Sequence, residues 1–412
     1  MNALTEGPHP VPATSRPALW HSGRCTVCGH DDLREFLHLP AVPAQDGLVW
    51  PTREEALAAP SGEIRLMLCR RCGYAGNRSY DAARVRFAGY DVSLEYSGQY
   101  RTFVRELAAR LVETYGVRGK TVLEIACGKG FFLRTICRTG GNRGIGYDPA
   151  YADEGSDTEG LDITFVPEYY GGGGAPAPDA DLICCRQLLD ILDDQSGFLL
   201  GLRRSVDPAR GTVLFFETPN ADATLTRFTP WNVVYEHCSW FTAETLALFF
   251  ELHGFDVLAA GPCNNDEYLC LEARPAGQVL LRHLPDPAAV AAREAELTGV
   301  AERFACAVRR WRGLLARERE AGRSIALWGA GARAIGFLSA LGLRDASLPV
   351  ADINPRRQGR FLAGTGQLVV APVALRDIRP DLIVVTNPAY ATEIRTQAGA
   401  LGLHAEVVAL DA

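Results

Sequence analysis

Two pairs of cysteines have the spacing of a metal site. Cys25 and Cys28 form one Cys-x-x-Cys pair, and Cys69 and Cys72 form a second. Each such pair makes a tight knuckle that points two thiolates at one point, and two knuckles supply the four sulfur ligands of a tetrahedral zinc ion. Four ligands leave no open position, so we expect a structural zinc and not a catalytic one. Unrelated buried cysteines and a redox pair are the alternatives.

A glycine-containing turn follows an apolar stretch in the middle of the chain. The run TVLEIACGKG places Ala126, Gly128 and Gly130 between a predicted strand and a predicted helix. Glycine lets the backbone approach a ligand closely at the carboxyl end of a strand, where doubly wound sheets bind nucleotides. Asp148 ends the next predicted strand, about twenty residues after Gly128, where a carboxylate can accept both ribose hydroxyls. Dinucleotide sites share this pattern, so the turn alone leaves the nucleotide open.

Two further features favour S-adenosylmethionine as the ligand of this turn. Glu124 lies within the strand, two residues before the turn, and resembles the acid with which methyltransferases orient the methionine end of the cofactor. The turn also resembles the E-x-G-x-G-x-G pattern of class I methyltransferases, with Ala126 in place of the first glycine. The run from Glu217 to Asn220 is similar to their substrate-side loop. We therefore predict an S-adenosylmethionine-binding domain, with a non-binding domain of the same fold as the alternative.

A second turn of this kind occurs near the end of the chain. The run SIALWGAGARA places Gly329 and Gly331 between a strand and a helix, and Asp352 closes the next strand. In isolation this pattern predicts NAD binding, and hence a dehydrogenase. The sequence contains no Tyr-x-x-x-Lys run or comparable hydride-transfer set, and no lysine follows Lys129. A dehydrogenase remains the alternative from another class.

The elements that position these residues alternate between strands and helices, which predicts an α/β fold with a doubly wound parallel sheet. We predict strands over 121–126, 142–148, 163–166, 180–186 and 211–217, an antiparallel edge hairpin over 255–260 and 268–273, and helices over 90–115 and 287–321. A second Rossmann-like sheet is predicted from strands over 324–331, 348–354, 382–387 and 405–410. The predicted domains are a disordered lead-in (1–23), a zinc-binding module (24–88), an S-adenosylmethionine-binding domain (89–275), a helical connector (276–322) and a C-terminal Rossmann-like domain (323–412).

Composition narrows the classes of partner. The 412 residues carry a net charge of −7 with no basic run, which argues against nucleic acid and membrane surfaces as partners. The longest apolar runs are strand-sized, and the first residues lack the features of a signal peptide. We therefore expect a cytoplasmic monomer or homodimer whose twelve cysteines stay reduced.

Four motifs, in this order, resemble one family. They are CxxC…CxxCG, LEIACGKG, YEHCSWF (235–241) and WGAG…ADINPRRQGR…TNPAY. The chain is similar in them to the three-domain sugar C-methyltransferases, which act on nucleotide-linked 4-keto-deoxysugars, and the resemblance covers nearly the whole chain.

The resemblance implies that Tyr235, Glu236 and His237 are the catalytic residues. Methylation of carbon requires removal of a proton next to a ketone, and His237 can titrate near neutrality. Glu236 would orient or deprotonate His237, and Tyr235 would donate a hydrogen bond to the forming enolate oxygen. No metal is needed for this chemistry.

The resemblance also implies that the C-terminal domain closes over the active site and holds the nucleotide part of the substrate. Structural cover and NAD binding are the alternatives for that domain. We predict substrate contacts at Tyr96, Tyr100, Asn220, Gly329, Gly331, Arg333 and Asp352, and a cofactor contact at Gln187. Relatives commonly carry a histidine after the fourth strand, and the run from Arg186 to Ile191 has none. Methylation of oxygen or nitrogen on another small molecule therefore stays open, as does a binding protein without enzymatic activity.

Overall fold

The computed structural model describes residues 22–87, 89–91, 93–153, 158–171, 179–227, 229–278 and 280–410. Residues 1–21 of the predicted disordered lead-in lie outside these ranges. None of the helices within them is both long enough and apolar enough to cross a membrane.

The chain forms three groups of elements. The N-terminal group is β1 (Leu33–Pro43), β2 (Val49–Trp50), α1 (Arg53–Leu57), β3 (Ser61–Cys69) and β4 (Ala75–Asn77). The central group is α2 (Gly98–Tyr115), β5 (Thr121–Ile125), α3 (Phe131–Gly140), β6 (Arg143–Tyr147), β7 (Ile163–Val166), β8 (Leu182–Arg186), α4 (Gln195–Ser205), β9 (Val213–Pro219), β10 (Ser239–Trp240), α5 (Ala243–Leu252), β11 (Phe255–Cys263) and β12 (Tyr268–Pro275). After the connector helices α6 (Pro287–Thr298) and α7 (Val300–Glu320), the C-terminal group is β13 (Ile325–Trp328), α8 (Ala332–Leu341), β14 (Val350–Ala351), β15 (Phe361–Leu362), β16 (Val369–Val370), α9 (Leu375–Ile378), β17 (Leu382–Val385), α10 (Ala391–Ala400) and β18 (Glu406–Ala409).

The central sheet has seven strands in the order β11-β12-β9-β8-β5-β6-β7. Five strands are parallel, and β12 pairs antiparallel with both β9 and β11. All five residues of β8 are buried, as expected for a strand with helices on both faces of its sheet. The predicted α/β fold, with its parallel sheet and antiparallel edge hairpin, is confirmed. The carboxyl ends of β5, β6, β8 and β9 lie side by side at one edge.

Two helix predictions need correction at their boundaries. The helix predicted from residue 90 begins only at Gly98, because the side chain of Ser97 accepts the backbone N–H of Tyr100 and caps the first turn. The predicted connector helix is divided in two at Gly299. The segment before α2 is therefore free to form a loop near the sheet edge.

Strands and cores cross the predicted domain boundaries. β10 of the central group pairs with β4, and β15 of the C-terminal group pairs with β2. One hydrophobic core joins the N-terminal sheet, α7 and the C-terminal sheet, and its aromatic centre includes Trp231, Trp311 and Phe337. Two sheets and one hydrophobic core thus contain residues from both sides of a predicted boundary.

One expectation about the cysteines is wrong. The structure joins Cys263 and Cys270 as a disulfide across the β11–β12 hairpin, whereas the sequence predicted twelve reduced cysteines. The pairing arises because the two residues face each other diagonally on neighbouring strands. The sulfur atoms lie within 4.8 Å of a carboxylate oxygen of Glu217, at the same edge of the sheet as the glycine turn.

Candidate active site

The four predicted zinc ligands come together. Sγ of Cys25 lies 3.6 Å from Sγ of Cys72, Sγ of Cys28 lies 3.5 Å from Sγ of Cys69, and all four sulfurs lie within 4.8 Å of one another. Four sulfurs at about 2.3 Å from a tetrahedral zinc ion would be roughly 3.8 Å apart, so the donor set and its size fit this ion.

The two knuckles have the same backbone geometry. Gly29 and Gly73 have φ of 73° and 78°, and each donates its N–H at 2.8 Å to the carbonyl of the first cysteine of its pair, Cys25 and Cys69 respectively. Glycine is favoured at these positions because its φ is positive. A local backbone hydrogen bond thus closes each knuckle independently of a metal ion.

The glycine turn after β5 is held by Asp148. Its carboxylate accepts the backbone N–H of Gly128 at 2.8 Å and that of Ala150 at 2.7 Å. Burial raises the pKa of Asp148, and these two hydrogen bonds oppose the shift. Each carboxylate oxygen retains accepting capacity for a ribose hydroxyl.

Three residues of the turn have left-handed backbone. Ala126, Gly128 and Gly130 have φ of 58°, 54° and 75°. A Cβ atom at Gly130 would lie 2.4 Å from the ring of Phe165, so only glycine fits there. An alanine at φ 58° costs about 1 to 2 kcal/mol, so replacement of the first glycine of the motif by Ala126 is a strained solution.

Glu124 is the buried acid behind the turn. It is 2% exposed, and its Oε2 has no hydrogen-bond partner among the described residues. Burial raises its pKa to about 8, although the charge of Arg186 and a backbone hydrogen bond from Leu133 oppose the shift. An unpartnered buried carboxylate oxygen is costly unless a ligand satisfies it, and an ammonium group is the chemically matched partner.

A buried ion pair lies next to Glu124 on the same sheet edge. Arg186 at the end of β8 contacts Glu217 at the end of β9 at 3.0 Å, with side chains 8% and 0% exposed. Burial opposes the charge of Arg186, but Glu217 and Tyr100 outweigh it and raise its pKa. The hydroxyl oxygen of Tyr100 accepts from Arg186 at 3.1 Å, and the amide of Gln187 donates to Glu217 at 3.0 Å. Tyr100 and Gln187, predicted as substrate and cofactor contacts, thus flank this pair.

His237 lies at the same edge, opposite a buried aspartate. Nε2 of His237 is 3.5 Å from Oδ2 of Asp190, and Nδ1 is buried without a hydrogen-bond partner among the described residues. The hydroxyl group of Thr218 donates to the other oxygen of Asp190 at 3.2 Å. The carbonyl of Asp190 accepts the N–H groups of Cys238 and Ser239, so the two loops are fixed to each other. Burial raises the pKa of Asp190, and His237 opposes the shift.

The predicted role of Glu236 toward His237 is wrong. Glu236 is 1% exposed and accepts the N–H of Asp46 at 2.7 Å, that of Gly47 at 3.3 Å and the hydroxyl group of Tyr90 at 2.5 Å. Burial and the neighbouring carboxyl of Asp46 raise the pKa of Glu236 well above its usual range. Glu236 therefore anchors the run to the N-terminal module, while Asp190 faces the imidazole.

Tyr235 also has a different position from the predicted one. It is fully buried against Tyr80, and its hydroxyl oxygen accepts the N–H of Asp81 at 2.7 Å. That hydroxyl also lies 3.4 Å from the carbonyl of Ser79, to which it donates. The structure directs Tyr235 into the N-terminal module, so the predicted hydrogen bond to an enolate is not supported.

The remaining predicted substrate contacts fall into two places. The side chain of Asn220 is used internally, because it donates to the carbonyl of Asp266 and accepts the N–H of Asp222. The guanidinium carbon of Arg356 lies over the ring of Tyr96, 5.8 Å from the ring centre.

The C-terminal turn repeats the construction of the central one. Asp352 accepts the N–H of Ala330 at 2.6 Å, and Gly331 caps α8. Gly329 has φ of 106°, and a Cβ atom there would lie 2.4 Å from the hydroxyl oxygen of Thr386. Arg333 in the first turn of α8 donates to Glu267 at 2.8 Å and thereby links the turn to the central hairpin.

Sequence reasoning missed Asp190, the Arg186–Glu217 pair and the Tyr90 contact. The run from Arg186 to Ile191 contains no histidine, and the relevant signal in it is Asp190. A carboxylate in the loop after the fourth strand is a candidate partner for any histidine that reaches the same edge. The Tyr90 contact spans 146 residues and has no local signal.

Two family models match the chain. One, described as a methyltransferase domain, matches residues 96–260, and the other, described as a C-methyltransferase C-terminal domain, matches residues 288–404. No curated protein matches the sequence.

Several solved structures resemble part of the chain. The mitomycin 7-O-methyltransferase MmcR is 18% identical with a TM-score of 0.35, and the match covers 43% of this chain and 54% of that one. A SAM-dependent methyltransferase from Aquifex aeolicus is 18% identical with a TM-score of 0.33, covering 43% of this chain and 98% of that one. A magnesium protoporphyrin IX methyltransferase from Synechocystis with bound SAM is 14% identical with a TM-score of 0.33. The match covers 43% of this chain and 80% of that one. This chain spans about half the length of the first, and at these scores their substrates say nothing about its own.

The glycine turn lies at the carboxyl end of β5, between β6 and β8 in the central sheet, where doubly wound sheets bind nucleotides. Together with this position of the turn, the two family matches show that the chain contains a methyltransferase domain followed by a C-methyltransferase C-terminal domain.

Proposed function

We propose that this enzyme methylates a carbon atom next to a ketone, and that His237 is the base that removes the proton from that carbon. The pairing of His237 with Asp190 at the cofactor edge of the sheet carries this proposal. The match to a C-methyltransferase C-terminal domain supports carbon as the acceptor atom. The first candidate acceptor is a nucleotide-linked keto-deoxysugar, on the resemblance of the sequence motifs.

Asp190 prepares His237 for this role. A carboxylate facing Nε2 favours the tautomer that carries its proton there, which leaves the lone pair of Nδ1 available. Nδ1 has no hydrogen-bond partner among the described residues, so its lone pair is not committed to another group. When His237 takes up a proton, the negative charge of Asp190 stabilises the imidazolium.

The cofactor would be held by Glu124, Asp148 and the backbone of the turn between Ala126 and Gly130. When bound, S-adenosylmethionine supplies a methyl group on a positively charged sulfur. The ion pair with Glu217 compensates the charge of Arg186, so a cationic cofactor does not meet an isolated guanidinium at this edge. Glu124 supplies further negative charge there once it is ionised.

We also propose that Cys25, Cys28, Cys69 and Cys72 hold a structural zinc ion. Their sulfur distances and the matched knuckles support the proposal. Cys69 and Cys72 also pack in the core that includes the central sheet. Metal binding would therefore stabilise the contact between the N-terminal module and the catalytic domain.

A ketosugar nucleotide deuterated at the carbon next to its ketone tests the proposed chemistry. Methylation at carbon replaces deuterium by methyl, whereas methylation of a hydroxyl or amino group retains the label, and product mass separates the two. We expect His237→Gln to retain the label and form no product while its affinity for S-adenosylhomocysteine is unchanged. His38→Gln is the matched control, because His38 is 43% exposed and pairs with Glu63 at the surface. A His237→Gln enzyme with undiminished turnover would refute the role of this base.

A further inference from the structure

Arg357 connects three segments that meet beside the active site. Its side chain is 4% exposed and donates to the carbonyl of Ala330 at 2.7 Å and to that of Asp91 at 2.7 Å. Both terminal nitrogens also lie within reach of the carbonyl of Asp46, at 3.4 and 3.3 Å. One buried guanidinium thus joins the C-terminal glycine turn to an N-terminal loop and to the segment before α2.

The same two segments hold Glu236. Asp46 and Gly47 donate their backbone N–H groups to its carboxylate, and Tyr90, next to Asp91, donates its hydroxyl group. A Cβ atom on Gly47 would lie 1.9 Å from the ring of Tyr90, so the close approach requires glycine. Arg357 and Glu236 therefore contact the same pair of segments.

Glu236 and His237 are consecutive, but each of them contacts a different loop. Glu236 is held by the N-terminal loop, whereas His237 faces Asp190 in the loop after β8. A shift of the loop that holds Glu236 would move the backbone that carries His237. Displacements of about 1 Å in a catalytic group can cost about a hundredfold in rate.

We propose that Arg357 is a positioning residue, through which the C-terminal domain sets the placement of His237. The proposal rests on the proposed role of His237 as the base. Every acceptor that the described residues offer to Arg357 is a backbone carbonyl, so its function here is geometrical. The planar fork of arginine reaches three carbonyls at once, and a single ammonium group cannot reproduce that arrangement.

Hydrogen exchange tests the contact without an acceptor. In Arg357→Met we expect exchange of the amides of Asp46 and Gly47 to accelerate about tenfold or more, because loss of a charged hydrogen bond frees the loop. The central turn around residues 121–132 should exchange as in the wild type. Arg395→Met, an exposed arginine of the same domain, is the matched control and should leave both regions unchanged. If Arg357→Met does not fold, Arg357→Lys gives the same comparison.

A second readout reports on His237 itself. The Cε1 resonance of His237, assigned by its absence in His237→Gln, should shift in Arg357→Met and in Glu236→Gln. The two changes together should move it no further than one alone, because each of them loosens the same two segments. We expect kcat to fall about 10- to 100-fold in Arg357→Met with unchanged affinity for S-adenosylhomocysteine.

Unchanged exchange at Asp46 and Gly47 would overturn the proposal whatever the activity. Faster exchange with an unmoved resonance would overturn it as well, since the loop would then not place His237. The proposed function fails separately, if His237→Gln retains turnover while Arg357→Met still loosens the loop.

Discussion

Glu124 offers a quantitative test of the cofactor site, because its carboxyl group is buried and its pKa is raised to about 8. A carboxyl whose pKa is higher in the folded protein binds more protons when folded, so its contribution to stability is lost as pH rises from about 4.5 to about 8. The raised pKa of Glu124 corresponds to a loss of roughly 5 kcal/mol in the free energy of unfolding between those pH values. Glu124→Gln removes this titration, and its apoprotein should lose less stability between pH 6 and 8 than the wild type.

Ligand binding should show the opposite dependence on pH. At pH 7 about nine tenths of the ligand-free protein carries a proton on Glu124. If the carboxylate of Glu124 holds the ammonium group of the ligand, binding must release that proton. The charged hydrogen bond contributes about 1.5 to 3 kcal/mol, from which the cost of deprotonation is subtracted. That cost falls as pH rises, so the affinity ratio of wild type to Glu124→Gln should grow about twentyfold between pH 6 and 7.5.

Titration calorimetry with S-adenosylhomocysteine in buffers of different ionisation enthalpy measures both quantities. We expect release of about 0.9 proton per ligand at pH 7 in the wild type and much less in Glu124→Gln. Equal proton release in the two proteins, together with a constant affinity ratio, would refute the assignment of Glu124 to the ammonium group.

Two further changes test the turn and the metal site. Gly130→Ala should lower the free energy of unfolding by about 2 kcal/mol, because alanine is strained at φ 75°. It should also weaken S-adenosylhomocysteine binding more than tenfold. Thermal unfolding measures the first effect and calorimetry the second. Gly201→Ala, inside α4 with open space at its Cβ position, is the control and should raise stability by about 0.5 to 1 kcal/mol. Loss of binding in the control, or retained binding in Gly130→Ala, would contradict this reasoning. Metal analysis should find about one zinc per chain, lost together with thermal stability in Cys69→Ser, and a variant that keeps its zinc would exclude the four-thiolate site.

The sequence by itself determined the features that depend on local patterns. The alternation of apolar strands and helices predicts the two sheets, and the glycine turns after β5 and β13 follow from residues adjacent in the chain. The cysteine knuckles are local in the same sense, since each closes over five residues. The sequence pattern does not mark the first residue of α2, because the helical periodicity extends to the N-terminal side of the cap at Ser97.

Tertiary structure decided which groups work together at the active site. The Tyr-Glu-His run predicted that neighbours in sequence would cooperate, yet Glu236 and His237 contact different segments, at Asp46 and at Asp190 respectively. These partners lie 190 and 47 residues away, in loops whose meeting depends on strand order and on β10 joining the N-terminal sheet. Side-chain direction in a loop is set by the segments packed around it, and no local periodicity encodes it.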